Sequence, residues 1–195
     1  MPENLQHIDE NATLAINSWN SPIGDQFWYF MSNSKVWIPF YAMILIMLFV
    51  KIGWKKSIIV IISIVLAFSA CDQTANLIKH LAERLRPCYN HYMVDGGLHI
   101  LEGRGGRFGF FSAHAANAFS LAVTTILGLK NGGAKKYKGA AIFLIIWAIL
   151  VSVSRIFVGK HFLGDVMVGT IIGIGYGFLF GSIAKWFITH TPEKA

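Results

Sequence analysis

Residues 58–68 read IIVIISIVLAF, and residues 140–153 read AAIFLIIWAILVSV. Neither stretch has a polar stripe at helical spacing, so neither can sit on the surface of a soluble protein with one face in water. A helix that is apolar all round belongs in lipid, where about 20 residues cross a hydrocarbon core of about 30 Å. Working outward from these two runs, spans are expected near residues 36–50, 57–79, 112–130, 138–155 and 164–188. The first is short, and the aromatic run FWYFM at 27–31 is expected either to extend it across the membrane or to lie along the interface. Composition agrees: 54% of the 195 residues are hydrophobic and 14% charged, far from the mix of a soluble domain. The expected fold is therefore all-α, a single domain over residues 1–195, built as a polytopic membrane helix bundle of about five to six spans.

The N-terminal segment 3–18 places Leu5, Ile8, Ala12, Ala15 and Ile16 at helical spacing beside acids, which predicts an interfacial helix on the outer surface. It has no basic segment followed by a compact apolar run, so no cleavable signal peptide is expected. Cys71 and Cys88 are too few and too differently placed for a disulfide framework.

Charge sets the orientation. The connections KIGWKK (51–56) and KNGGAKKYK (130–138) hold seven lysines and no acid, and with Lys185, Lys194 and Glu193 that face carries +8. The opposite face carries −1, so the net +7 lies on one side. By the positive-inside rule the lysine loops are cytoplasmic, and the N-terminus and the 80–111 loop are external. Topology thus accounts for the basic surplus, and nucleic-acid binding, which would need a basic patch interleaved with aromatics, is not expected.

Traced through the bilayer, four helix ends meet on the external face: the second span ends at Lys79, the third starts at Ser112 and His114, the fourth ends at Ser154 and Arg155, and the fifth starts at His161 and Asp165. Titratable groups collected at membrane depth mark a functional site. His161 and Asp165 stand four residues apart, one helical turn, so the carboxylate can hold Nδ1–H and leave Nε2 outward as a nucleophile or a base. Lys79, Arg86 and Arg155 surround the pair, with Lys160 the weakest member and expected rather to reach lipid headgroups, and Ser112 adds a hydroxyl at a helix start whose amides favour an anion. Arginine forks and lysine point charges suit a tetrahedral phosphate. His114 is a second imidazole, able to protonate a leaving alkoxide and then activate water. Only Asp165 among the acids belongs to the cluster, too few donors for a zinc or magnesium cage, so metal-free chemistry without a cofactor is expected.

Three strings carry a family resemblance: KHLAERLRP (79–87), FSAH (111–114) and SRIFVGKHFLGD (154–165). As a set they resemble the three-part signature of the type 2 phosphatidic acid phosphatase family, which also includes vanadium haloperoxidases. The resemblance implies that His161 attacks phosphorus to form a phosphohistidine, that Asp165 orients it, and that His114 is the general acid. It further implies that Lys79, Arg86, Ser112 and Arg155 bind phosphoryl oxygens, with the Ala113 amide as a further donor. Phe111 and Ala113 replace the usual Pro and Gly; if the glycine serves only to offer an N–H, alanine does the same. The haloperoxidase branch resembles soluble bundles, so the spans here favour the lipid phosphatase branch.

That branch implies a phosphorylated membrane lipid as substrate, within a multi-pass protein of the cell (inner) membrane with its site on the external or periplasmic side. Undecaprenyl diphosphate takes a slight lead over phosphatidic acid, phosphatidylglycerol phosphate and lipid A phosphates, since the short chain is similar to small bacterial members. The alternative is a non-catalytic transporter or lipid-binding scaffold, which has no need for His114, His161 and Asp165 together.

Four other features are weighed. Gly169, Gly173, Gly177 and Gly181 recur every fourth residue and form a smooth face, for packing within the chain or for a homodimer. GRGGRFG (103–109) lacks the spacing of a nucleotide loop and is expected to be a flexible lid or a headgroup-contacting segment, with Arg104 and Arg107 open to a second phosphate. His80, His91 and His99 fit no metal-ligand spacing and are expected to face the loop or headgroups. Asp72, seven residues before Lys79, is expected to be a buried polar partner near the site or a counter-charge to Lys79.

Overall fold

The structure, a computed structural model, describes residues 3–190. Helices run in the order α1 (Glu3–Asn17), α2 (Pro22–Ser32), α3 (Ile38–Ile52), α4 (Trp54–Ala82), α5 (His91–Asp95), α6 (Ala113–Asn131), α7 (Lys138–Phe157) and α8 (Leu163–His190). Among the described residues there is no strand, only a lone bridge between Leu85 and Phe108. This is the all-α bundle expected, and Lys194 and Glu193 of the charge assignment lie outside the described residues.

The aromatic run 27–31 does not extend the first span. Ser21 caps the Gly24 amide, at 3.1 Å, and Pro22 opens a separate helix, α2. The chain then breaks at Asn33, whose Oδ1 accepts the Lys35 amide at the start of a 3₁₀ turn, Ser34–Trp37, that leads into α3. The aromatics of α2 serve packing instead: Trp28 stacks on Phe157, rings 4.3 Å apart and nearly parallel.

Four helical segments are long and apolar enough to cross a membrane: Ser34–Ile52, Trp54–Ala82, Lys138–Phe157 and Leu163–His190. The third expected span forms as α6 but is absent from that set because it is too polar, carrying His114, Asn117, Ser120, Thr124 and Thr125. Its position explains this. It lies inside the bundle against α4, α7 and α8, buried on almost every side, so it meets protein rather than lipid. Two of these hydroxyls bond to backbone, Ser120 Oγ to Asn117 O at 3.1 Å and Thr124 Oγ1 to Gly177 O at 3.4 Å.

The glycine face of α8 is filled by α6. A Cβ at Gly173 would lie 2.2 Å from the Ala116 carbonyl oxygen, and one at Gly169 would lie 2.5 Å from that of Ser112. Backbone approaches backbone along this seam, so this face packs within the chain, the first of its two expected uses.

Helix α1 forms where expected, with Leu5 and Ile8 exposed and with Asp9, Glu10, Thr13 and Asn17 buried against the ends of α7 and α8.

Candidate active site

The turn between α7 and α8 places the central histidine. Val158 N donates to Ser154 O at 2.9 Å, and Gly159 then adopts φ +74°, where a Cβ would also lie 2.9 Å from His99 O. Only glycine fits both demands. The Lys160 and His161 amides both return to the Arg155 carbonyl, at 3.0 and 3.2 Å, so His161 is held between two helix ends and is 2% exposed. Its Nδ1 lies 3.4 Å from Asp165 Oδ2, which also accepts the Phe162 amide at 3.1 Å. Burial, then the positive charges of Arg155, Arg86, Lys79 and Lys160, hold the imidazole well below its usual range, so it is neutral near pH 7.

His161 opens on a cavity of about 340 Å³ whose wall also holds Lys79, Arg86, Ala113, His114 and Arg155. From there the cavity descends between Tyr41, Phe68, Leu121 and Val151, an apolar path toward the bilayer interior. A second, largely polar cavity of about 420 Å³ shares His114 and Arg155 and runs past Ser34, Lys35 and Glu102.

Two expected site residues lie behind this wall. Asp165 is fully buried at the back of His161. Ser112 turns its Oγ to accept the Ala115 amide at 3.4 Å as the cap of α6, while its own amide donates to Asp165 O at 3.0 Å. As a cap Ser112 fixes where α6 begins, and its hydroxyl hydrogen is left to donate. Ala113 opens α6 without positive φ, so it carries no strain in place of glycine. Phe111 is buried with Cys71, Ala75 and Ala116.

Reading the sequence misses three residues. Arg84 reaches Asp165 Oδ1 at 2.7 Å. Glu102 accepts from Arg155, 3.3 Å away, and from Ser32, whose hydroxyl Arg155 also contacts. Arg84 lies inside the KHLAERLRP string, but only its neighbours fit the signature. Ser32 and Glu102 are far away in sequence and carry no local signal.

The segment 103–109 is fixed rather than free. Arg107 O takes the Arg86 amide at 3.0 Å, Gly105 O takes Tyr89 Oη at 2.8 Å, and Gly103 O takes Lys160 Nζ. This corrects the flexible lid. Lys160 is 4% exposed and spends its ammonium on that carbonyl rather than on headgroups; burial, then Arg86, lowers its pKa. Arg104 and Arg107 line a separate outer cavity with His91. His99 pairs with Asp25 at 2.9 Å. Asp72 accepts from Asn117 at 2.8 Å, both on the cavity wall, which makes it a polar partner near the site.

Lys79, Arg86, Arg155 and His161 thus share one small cavity, whose cations are offset by Asp72 on the same wall and by Glu102 on Arg155, since Asp165 is engaged by Arg84. Like charges gathered in a half-buried space repel, and an incoming dianion relieves that repulsion. The arrangement suits a tetrahedral anion beside a neutral imidazole.

Comparison with known proteins agrees. The sequence profile of the PAP2 superfamily matches residues 35–188. The chain is 35% identical to a lipid A 4'-phosphatase of Bacteroides thetaiotaomicron, over 97% of this chain and 80% of that one. It is 30% identical to an undecaprenyl-diphosphatase of Sulfolobus acidocaldarius, over 74% of this chain and 61% of that one. In fold it is similar to the crystal structure of a transmembrane PAP2-type phosphatidylglycerolphosphate phosphatase from Bacillus subtilis, with a TM-score of 0.73 at 20% identity, covering 98% of this chain and 90% of that chain. A profile match across most of the chain, joined to spans long enough for the bilayer, means that the chain belongs to the PAP2 superfamily and is a multi-pass membrane lipid phosphatase.

Proposed function

We propose that this phosphatase removes a phosphate monoester from the sugar headgroup of a lipid A-type glycolipid at the external face of the inner membrane. The observation that carries this reading is the pair of cavities meeting at His114 and Arg155, one apolar and descending into the bundle, the other polar and outward. A phosphorylated glycolipid fills both, with acyl chains in the first and sugar hydroxyls in the second. A diphosphate on a plain isoprenoid has no sugar to place in the polar one. The extent of similarity to the lipid A 4'-phosphatase points the same way and displaces the undecaprenyl carrier from its lead. The external placement rests on the lysine loops at the opposite end of the helices.

In this mechanism His161 Nε2 attacks phosphorus in line with the leaving oxygen, forming P–N as P–O breaks. Lys79, Arg86, Arg155 and the Ala113 amide hold the equatorial oxygens and spread their charge. His114 gives its proton to the leaving alkoxide, then takes one from water as the water oxygen attacks phosphorus and P–N breaks, releasing inorganic phosphate. Asp165 keeps His161 in the tautomer with Nε2 free and stabilises its positive charge.

The test is phosphate release by the full chain in detergent from lipid A, undecaprenyl diphosphate, phosphatidic acid and phosphatidylglycerol phosphate, with EDTA throughout. Release fastest from lipid A and abolished by His161→Ala is expected. A clear preference for undecaprenyl diphosphate would contradict the substrate, and loss of activity in EDTA restored by a divalent ion would contradict the metal-free mechanism.

A further inference from the structure

The buried polar stripe of α1 ends on the carboxylate behind His161. Asp165 uses Oδ2 for His161 Nδ1 and the Phe162 amide, and Oδ1 for Arg84 NH1 at 2.7 Å. The other arm of the same guanidinium, NH2, reaches Asp9 Oδ2 at 2.6 Å. The remaining Asp9 oxygen, Oδ1, accepts the Gly164 amide at 2.8 Å, one residue before Asp165. The path thus leaves the first turn of α8 through a side chain and returns to it through the backbone, a closed ring of Asp165, Arg84, Asp9 and Gly164.

Each member has little freedom. Asp9 is 7% exposed, and Asp165 is fully buried. The guanidinium lies over the Phe162 ring at 4.1 Å. A Cβ on Gly164 would fall 2.8 Å from Asp9 Oδ2, so the approach of Asp9 depends on that glycine. One turn on, Thr13 Oγ1 accepts the Leu163 amide at 2.9 Å, and Asn17 Nδ2 donates to the Ile156 and Phe157 carbonyls at 3.0 and 3.1 Å. Residues 9, 13 and 17 recur every fourth position, and all three tie down the helix ends that flank His161.

We propose that Asp9, acting through Arg84, is a positioning residue for His161: it fixes the guanidinium that in turn fixes the Asp165 carboxylate. A guanidinium facing Asp165 alone could swing or draw the carboxylate off the imidazole. Shared between two carboxylates in a two-armed bond, it is held in place and pulls on Asp165 less. The N-terminal helix is then part of the catalytic apparatus and more than an anchor at the interface. This inference rests on His161 being the nucleophile, as in the proposed mechanism.

Asp9→Asn keeps an oxygen for the Gly164 amide and turns a donor, Nδ2, toward Arg84 in place of the accepting, charged carboxylate oxygen. Its kcat for phosphate release is expected to fall roughly ten- to a hundredfold, the range seen when the outer partner of a metal-binding histidine is removed, with KM changed much less. Arg84→Lys should retain more activity than Arg84→Gln, because lysine keeps a charge on Asp165. Glu10→Gln is the control on the same buried helix face: Glu10 bonds Asn90 at 2.8 Å, away from the ring, and its loss should lower thermal stability without the fall in kcat. Equal kcat in Asp9→Asn and Glu10→Gln would overturn the proposal. A second measurement needs no turnover: orthovanadate bonds an imidazole nitrogen as phosphorus would, and Asp9→Asn and Arg84→Gln should each bind it several-fold more weakly than the wild type. Unchanged vanadate affinity in both would overturn the proposal, whereas a wild type that binds vanadate yet releases no phosphate from lipid A would count against the substrate alone.

Discussion

His161 Nδ1 and Asp165 Oδ2 stand 3.4 Å apart on successive turns, with the same oxygen held by the Phe162 amide. The separation is long for a hydrogen bond at rest and shortens as the imidazole gains charge in the transition state. Asp165→Asn keeps the volume but favours the wrong tautomer, and kcat for phosphate release should fall by roughly 10⁴-fold, as in a hydrolase triad that loses its aspartate. A fall of tenfold or less, measured with a protein whose thermal unfolding is unchanged, would make the carboxylate a minor partner.

The pH dependence comes from the lowered pKa of His161. The nucleophile is neutral in the free enzyme down to a pH well below its ordinary value of about 6.5. The acid limb of kcat/KM that belongs to His161 should therefore lie well below 6.5. Stability has the matching sign. The unfolded histidine takes up its proton first as pH falls, so this contribution is full above the unfolded pKa and is lost as pH drops through about 6.5 toward the folded value. A thermal midpoint that rose on acidification over that range would contradict the burial of a neutral imidazole.

Glu102 sits on Arg155, partly exposed at the mouth of the site. It competes with a phosphate oxygen for the same guanidinium. Glu102→Gln should bind inorganic phosphate several-fold more tightly, read as a lower inhibition constant, because a partly exposed ion pair is worth about 1 kcal/mol at most. Weaker phosphate binding in the variant would show that Glu102 orients Arg155 instead.

Two glycines of α8 should respond in opposite directions. At Gly173 a Cβ would meet the Ala116 backbone at 2.2 Å, whereas at Gly175 nothing lies within 4 Å. Gly173→Ala should destabilise by about 1–3 kcal/mol through overpacking, and Gly175→Ala should be neutral or stabilise by up to about 1 kcal/mol through helix propensity. Thermal unfolding in detergent measures both, and equal effects would contradict the close seam between α6 and α8.

Features governed by local rules are legible in the amino-acid sequence. The apolar runs, the i,i+4 spacing of His161 and Asp165, and the meeting of Lys79, His114, Arg155 and His161 all come from helix period and bilayer thickness, and the structure places them together. The misses are tertiary. Helix α1 has apolar and polar faces, and nothing in its own period says that the polar one docks inward, because its partners, Gly164 and Arg84, are 155 and 75 residues away. Ser112 is legible as a hydroxyl at a helix start, but its rotation toward the Ala115 amide is a matter of cap geometry. The segment 103–109 reads as mobile because it is rich in glycine, yet its carbonyls are taken by Arg86, Tyr89 and Lys160 from outside it.

The most direct test of phosphoryl transfer to His161 is to trap it. The full chain is mixed with lipid A carrying a radiolabelled 4'-phosphate, quenched in alkali within a turnover, digested, and the labelled peptide is identified. The account predicts an alkali-stable, acid-labile label on His161, absent from His161→Ala and lengthened in lifetime by His114→Ala. Steady hydrolysis by the wild type, with His161→Ala turning over at the same rate and no label on any histidine at any time, would contradict it.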